Sequence, residues 1–244
     1  LATTAHAYTF GPWGCNLRWD QCYGDACVQN KNFACDTNLG SETLVGSFVL
    51  PADIADVHGV QGVLDVATAS ATVPGWWQFQ NAGTCRTASL TASGSPLGPT
   101  TNCRDWAEGG EAGGLAEATI NSNGHGANTV RLVFGFAYPA AVSNPLNIHQ
   151  EYFAFRLNLD HAKTVGMGAC AGCTTPVCIV INRIDVVGSG GADTRTLTGP
   201  ANGVDSDYAT WQGGIGVTTN LGSGCPAATP TQQRTWGELK SLYR

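Results

Sequence analysis

Two acidic residues late in the chain, Asp205 and Asp207, have the alternating spacing of a cation-binding turn. In such a turn both carboxylates can contact one ion, and calcium prefers oxygen ligands of this kind. A calcium site needs six or more oxygen atoms, and the surrounding sequence offers few others. Calcium is therefore kept as an alternative to two ordinary turn residues, and no other cofactor is predicted.

Motifs of the common enzyme classes are absent from the sequence, which has no G-x-S-x-G, no H-E-x-x-H and no phosphate-binding loop. A hydrolase can also use two carboxylates that are distant in sequence and adjacent only in the folded protein. The candidates for such a pair are Asp65, Glu108, Glu111 and Asp160. Each of them is explained more simply as a solvated turn or surface group. We therefore expect a protein without enzymatic activity, and an extracellular hydrolase is the least favoured alternative.

Adjacent tryptophans at positions 76 and 77 are the strongest indication of a binding surface. In an extended backbone neighbouring side chains point to opposite sides, so one of Trp76 and Trp77 is expected to face solvent. An exposed indole can stack on a sugar ring, which makes a carbohydrate-binding module the second functional hypothesis. A core tryptophan beside a partly covered one is the simpler interpretation.

The ten cysteines form an even set, which predicts a disulfide framework: Cys15, Cys22, Cys27, Cys35, Cys85, Cys103, Cys170, Cys173, Cys178 and Cys225. The simplest pairings join cysteines near in sequence, Cys15 with Cys22, Cys27 with Cys35, and Cys85 with Cys103. The group at 170–178 then uses Cys225 or an N-terminal cysteine as its further partner. Zinc is less favoured because the N-terminal cysteines lack metal-binding doublets.

Charge and composition exclude two classes of partner. Charged residues make up only 12% of the chain, the net charge is −6 and the pI is near 5.2. Nucleic acids and anionic membranes are bound through basic surfaces, so neither is expected as a partner. The sequence has no run of 18 apolar residues and therefore predicts no membrane span. With leucine at position 1 and disulfides expected, we predict a processed protein that is secreted to the extracellular space or cell surface.

Residue periodicity predicts an all-β protein. Phe153 to Leu159 alternates apolar and polar residues as a half-buried strand does, and Val177 to Val187 has the apolar run of a deeply buried one. We expect these two to be neighbours in one sheet. Further elements are predicted as strands at Leu44 to Leu50, Val60 to Ala67, Asn128 to Tyr138 and Thr194 to Leu197, and as a short helix at Leu115 to Thr119. The predicted fold is an antiparallel β-sandwich of jelly-roll or Greek-key type with disulfide-stapled loops and a short C-terminal helix.

Both ends of the sequence contain short segments that need a folded protein to dock on. Residues 1–10 alternate small residues with His6, Tyr8 and Phe10, as a strand does, and Thr235 to Glu238 is a capping box. The helix that follows is too short to be stable alone. The residues predicted to dock are Tyr8, Phe10, Trp236, Leu239, Leu242 and Tyr243. We divide the chain into a strand-like tail (1–12), a sandwich domain (13–225), and a linker with a docking helix (226–244).

Four stretches, FACDTN, PGWWQFQNAGTCR, EYFAFRLNLDHAKTVGMGACAGCTTPVC and RTWGELKSLYR, resemble a family of uncharacterised secreted proteins from environmental, mostly uncultured bacteria. The resemblance spans nearly the whole chain and implies export and a removed signal peptide, but no function. The succession of strands loosely resembles the jelly-roll modules of cohesin-like, carbohydrate-binding and fibre-subunit proteins. Together these features predict a secreted structural protein that assembles with copies of itself into a fibre or surface layer.

Overall fold

The computed structural model describes residues 13–80, 85–96, 98, 103–121, 125–138, 145–188, 193–202 and 205–214. The tail at 1–12, Cys225, and the linker and helix predicted at 226–244 lie outside the described residues. Within the described residues there are twelve strands: β1 (Gly14–Trp19), β2 (Asn30–Lys31), β3 (Ser41–Val49), β4 (Val57–Thr68), β5 (Leu90–Ser93), β6 (Cys103–Asp105), β7 (Ala112–Ile120), β8 (Thr129–Ala137), β9 (Glu151–Asp160), β10 (Val177–Gly188), β11 (Arg195–Leu197) and β12 (Tyr208–Trp211).

The strands form two packed, mainly antiparallel sheets, so the predicted β-sandwich is confirmed. The first sheet has the order β1-β3-β9-β5, and β6 pairs in parallel with the other half of the β9 edge. The second has the order β2-β12-β10-β4-β8-β7, with β11 also paired to β10. Because strands adjacent in sequence are often apart in the sheets, most pairings are long-range and could not be inferred from local pattern.

Strands β9 and β10 are where they were predicted, but they are not neighbours. Strand β9 is in the first sheet and β10 is in the second, so the expectation of a shared sheet is wrong. The connector at 161–176 crosses between the sheets and is fixed by the disulfides Cys35–Cys173 and Cys85–Cys170. A crossing explains why this segment is much longer than a hairpin turn.

The helix predicted at Leu115 to Thr119 is also wrong, because this segment is the middle of β7. Its Leu, Ala and Glu residues favour helix, but their intrinsic preference is a few tenths of a kcal/mol per residue. Pairing with β8 over the full length of β7, interrupted by one bulge between Leu115 and Glu117, overrides that preference.

Four tryptophans form the largest aromatic group in the core: Trp19, Trp76, Trp77 and Trp211, all fully buried. They come from β1, from the single-turn 3-10 helix Gly75–Trp77 and from β12. Aromatic burial on this scale supplies a large hydrophobic stabilisation for a sandwich of this size.

Candidate assembly surface

The edge of the sandwich at β1 is closed by the chain itself. Backbone N–H groups of β1 donate to carbonyl oxygens of coil segments: Cys15 N to Gly199 O (2.9 Å), Leu17 N to Ser206 O (2.7 Å) and Trp19 N to Val28 O (2.8 Å). All six residues of β1 are buried. This edge therefore has no open backbone ladder for another strand.

The opposite edge of the second sheet is strand β7, whose far side is unpaired within the part of the chain that the structure describes, although β5 of the first sheet lies close to it. Strand β7 has nine residues and pairs with β8 on one side, and among the described strands none pairs with its other side. Most of its residues are exposed or half-buried, and only Ala118 is fully buried. A strand of this length with one unpaired edge is a template for strand addition.

Next to the β7 edge, the outer face of the second sheet has a shallow trough of about 350 Å³. Two adjacent residue rows cross β4, β8 and β7 here, namely Gly59, Ala137 and Ala112, followed by Gln61, Gly135 and Gly114. His58 and Val187 border the trough. The trough exists because five of these six residues are glycine or alanine, and Gln61 is the one long side chain among them.

Two glycines beside the trough are not required by the chain's own packing. A Cβ on Gly135 would lie 3.8 Å from its nearest neighbour, the Cβ of Gln61, and a Cβ on Gly114 would contact nothing within 4 Å. By contrast, a Cβ on Gly62 would lie 2.2 Å from the ring of Phe134. Glycine weakens a strand and often marks a place where another backbone or ligand approaches closely.

The tryptophans predicted as a glycan platform do not form one, because both Trp76 and Trp77 have 0% of their surface exposed. The prediction assumed an extended backbone, whereas Pro74 leads into the 3-10 turn Gly75–Trp77, which directs both indoles inward. The Trp76 indole N–H donates to Thr164 Oγ1 (3.0 Å). These residues are core, and neither indole is available to stack on a sugar.

Asp205 and Asp207 do not belong to a group of three or more close metal ligands among the described residues. Asp205 is exposed, and its carbonyl oxygen accepts hydrogen bonds from both terminal nitrogens of Arg18, each at 3.2 Å. The same guanidinium also donates to Tyr208 O (3.0 Å). A positive side chain thus occupies the carbonyl oxygens that a calcium ion would need. Among the described residues, the one close group of three potential metal ligands is Cys22, Cys103 and Glu151, and its cysteines are joined to each other.

Asp207 is buried, and desolvation raises the pKa of its carboxyl to about 6, with Asp205 adding to the shift. Its Oδ1 has no hydrogen-bond partner within the described structure. Because this pKa is higher in the folded than in the unfolded protein, the protonated carboxyl favours the folded state. This contribution to stability is complete at pH values below the unfolded-state pKa and is lost as the pH rises through about 6.

We therefore expect Asp207→Asn to raise the free energy of unfolding at pH 7.5 by roughly 1–2 kcal/mol while changing it little at pH 4. The reason is that the amide removes a buried charge that is present only at the higher pH. Urea unfolding at both pH values measures the effect, and Asp36→Asn, at an exposed carboxylate that does not contribute to the Asp207 shift, serves as the control. Equal changes at the two pH values would contradict this assignment.

The four carboxylates considered for hydrolysis each make their own local contacts. Asp65 is buried, contrary to the expectation of a solvated group, and accepts two hydrogen bonds from Arg131 (2.9 and 2.7 Å). Glu108 pairs with Arg104 at the surface, Glu111 accepts a hydrogen bond from the Ser95 hydroxyl, and Asp160 caps the backbone N–H of Ala162. Each has a local structural partner, and these contacts do not form an acid pair.

Glu151 is a buried carboxylate that was not predicted from the sequence. It is fully buried on β9, where its carboxylate accepts hydrogen bonds from Ser47 Oγ, from Asn16 Nδ2 (3.3 Å) and from the backbone N–H groups of Tyr23 and Gly24 (both 2.9 Å). Burial raises its pKa, and these donors oppose the shift. Beside the Cys22–Cys103 bridge, Glu151 fixes the 20–28 loop on the first sheet.

The disulfides connect distant segments, so the predicted local pairings are wrong. The described bridges are Cys22–Cys103, Cys35–Cys173 and Cys85–Cys170, with sequence separations of 81, 138 and 85 residues. Cys178 is also disulfide-bonded, as predicted. Cys15 and Cys27 are free thiols, so the prediction that all ten cysteines form disulfides is wrong for these two. Cys15 faces the core from β1, where burial raises its pKa and its thiol contacts Leu197 O (3.6 Å).

In comparisons with known proteins, no protein-family model matches the chain, and no match was found among curated proteins or solved structures. No helix in the described ranges is long and apolar enough to cross a membrane. The surface that remains as the candidate for function is the open β7 edge together with the adjoining trough.

Proposed function

We propose that this protein is a secreted structural subunit that associates with copies of itself into an extracellular fibre or surface layer. The observation that carries the proposal is the difference between the two sandwich edges. The β1 edge is sealed by the chain's own segments, whereas the β7 edge offers an unpaired ladder among the described strands. A subunit with one open strand edge is suited to accepting a strand from a neighbour.

The place where the tail is attached gives this association a direction. Residues 1–12 precede Trp13, and β1 begins at the next residue, Gly14, and packs against β10 and β12. In the second sheet β7 lies three strands beyond β10, and strands are spaced by about 4.8 Å, so β7 lies roughly 15 Å from the strand against which β1 packs. A contact between two different edges of identical subunits is head-to-tail, and repetition without closure gives a filament.

Two further features support an extracellular structural role. Bridges across 81 to 138 residues tie together loops that are distant in the sequence, as expected for a protein working in an oxidising environment. The buried tryptophans leave the glycan-binding alternative without a platform. The open edge therefore favours self-association over sugar binding.

Negative-stain electron microscopy of the purified full chain tests the proposal. We expect long unbranched threads whose number grows with protein concentration, because head-to-tail association is a mass-action process. The matching solution measurement is sedimentation velocity over the same concentration range. A single sedimenting species of monomer mass at every concentration, with no threads, would overturn the proposal.

A further inference from the structure

We propose that β7 is the acceptor strand and that residues 1–12 of a neighbouring copy pair with it, so that His6, Tyr8 and Phe10 cover the trough. The small residues Ala5, Ala7 and Thr9 then face the first sheet. This inference rests on the proposed function. It adds which two segments pair, which part of β7 is used, and which side chains lie on each face of the added strand.

The inward side of the acceptor edge has little room. A Cβ on Gly94, just after β5, would lie 2.4 Å from Cγ of Glu111, just before β7. The hydroxyl of Ser95 hydrogen-bonds the Glu111 carboxylate across the same seam. An added strand therefore accommodates only small side chains on this face, as Ala5, Ala7 and Thr9 provide.

The outward face of the acceptor edge has room for large side chains. Gly114 and Gly135 have space for a side chain and ordinary backbone angles, so their own fold gives no reason for glycine. Aromatic side chains on a neighbouring strand cover glycines well and protect the exposed backbone. The aromatic face of the tail, spaced at every second residue, supplies such cover along the trough.

Charge and edge geometry limit where the tail pairs. Residues 1–10 contain no Asp, Glu, Lys or Arg, and neither do the two rows where they cross β4, β8 and β7. The nearest acid in these rows is Asp185, on β10, which accepts a hydrogen bond from Gln61. Beyond the bulge at Leu115 the strand presents Glu117, an exposed charge that disfavours an apolar partner. The uncharged half of β7, from Ala112 to Leu115, is therefore the centre of the contact.

Peptide binding tests the assignment. A labelled peptide of residues 1–12 is titrated into the full chain carrying Tyr8→Asp and Phe10→Asp, and binding is followed by fluorescence anisotropy. We expect saturable binding that is at least tenfold weaker for receptors with Gly135→Val or Gly114→Val, since the new side chain fills the trough at Gly135 or the space beside it on β7. Thr119→Val, on the outward face of β7 beyond the bulge, is the matched control and should bind like the unmodified receptor.

Variants of the peptide provide a test that does not depend on receptor folding. Replacing Tyr8 and Phe10 by alanine, or Ala7 by leucine, should each weaken binding at least tenfold, the first by removing the cover and the second by overfilling the seam. Two results would overturn the inference but not the proposed function. The first is normal thread formation by chains with Gly135→Val, and the second is peptide binding whose affinity is unchanged by all of these substitutions. Peptide binding without threads from the full chain would overturn the proposed function and leave the acceptor assignment standing.

Discussion

Replacing Trp211 by alanine is expected to lower the free energy of unfolding by about 3–5 kcal/mol. Its ring lies 5.2 Å from that of Trp76, 5.6 Å from that of Trp77 and 5.8 Å from that of Trp19, so truncation opens a cavity at the centre of the aromatic group. Its indole N–H also donates to Cys173 O at 2.7 Å, and that buried carbonyl would lose its donor.

Urea unfolding followed by far-ultraviolet circular dichroism measures this loss without relying on tryptophan fluorescence. Trp13→Ala is the matched control, because that side chain is 49% exposed and its truncation should change stability by less than about 0.5 kcal/mol. Similar losses for both variants would show that the buried group does not hold the sheets together as described.

Substituting aspartate for both Tyr8 and Phe10 is expected to abolish assembly while leaving the unfolding midpoint of the subunit unchanged. Two charges on the aromatic face of the tail would have to be buried against the uncharged trough, at a cost of several kcal/mol without a partner. Sedimentation velocity should then find monomers at concentrations where the unmodified chain forms polymers.

The control for added charge carries Ala52→Asp and Ala71→Asp, at exposed positions in the turns that flank β4. It has the same net charge as the tail variant and should assemble normally. Polymers of undiminished length from the tail variant would show that copies join through some other surface.

The strands were predicted where the local pattern determines the structure. Period-two alternation identified β9, and the β-branched run identified β10, each to within two residues. Their pairing was not predictable in the same way, since it depends on the crossing at 161–176 and on partners far apart in sequence. The helix prediction at Leu115 to Thr119 was wrong for a related reason, because pairing with the neighbouring β8 overrides a weak helical preference.

The burial of the polar and aromatic residues could not be predicted from local sequence either. The orientation of Trp77 follows from the 3-10 turn after Pro74, which an assumption of extended backbone misses. Glu151 and Asp65 look like ordinary strand carboxylates, and their burial depends on donors contributed by other segments, such as Asn16 and Arg131. The open edge could not be found from sequence at all, because being an edge is a property of the sheet order.

Hydrogen exchange of the β7 backbone, compared between monomeric and assembled protein, tests the central claim most directly. If a neighbour's tail pairs with this strand, amides on the free side of β7 between Ala112 and Leu115 should become strongly protected on assembly, while those of the already sealed β1 keep their protection. Exchange in β7 that is as fast in the polymer as in the monomer would contradict the account.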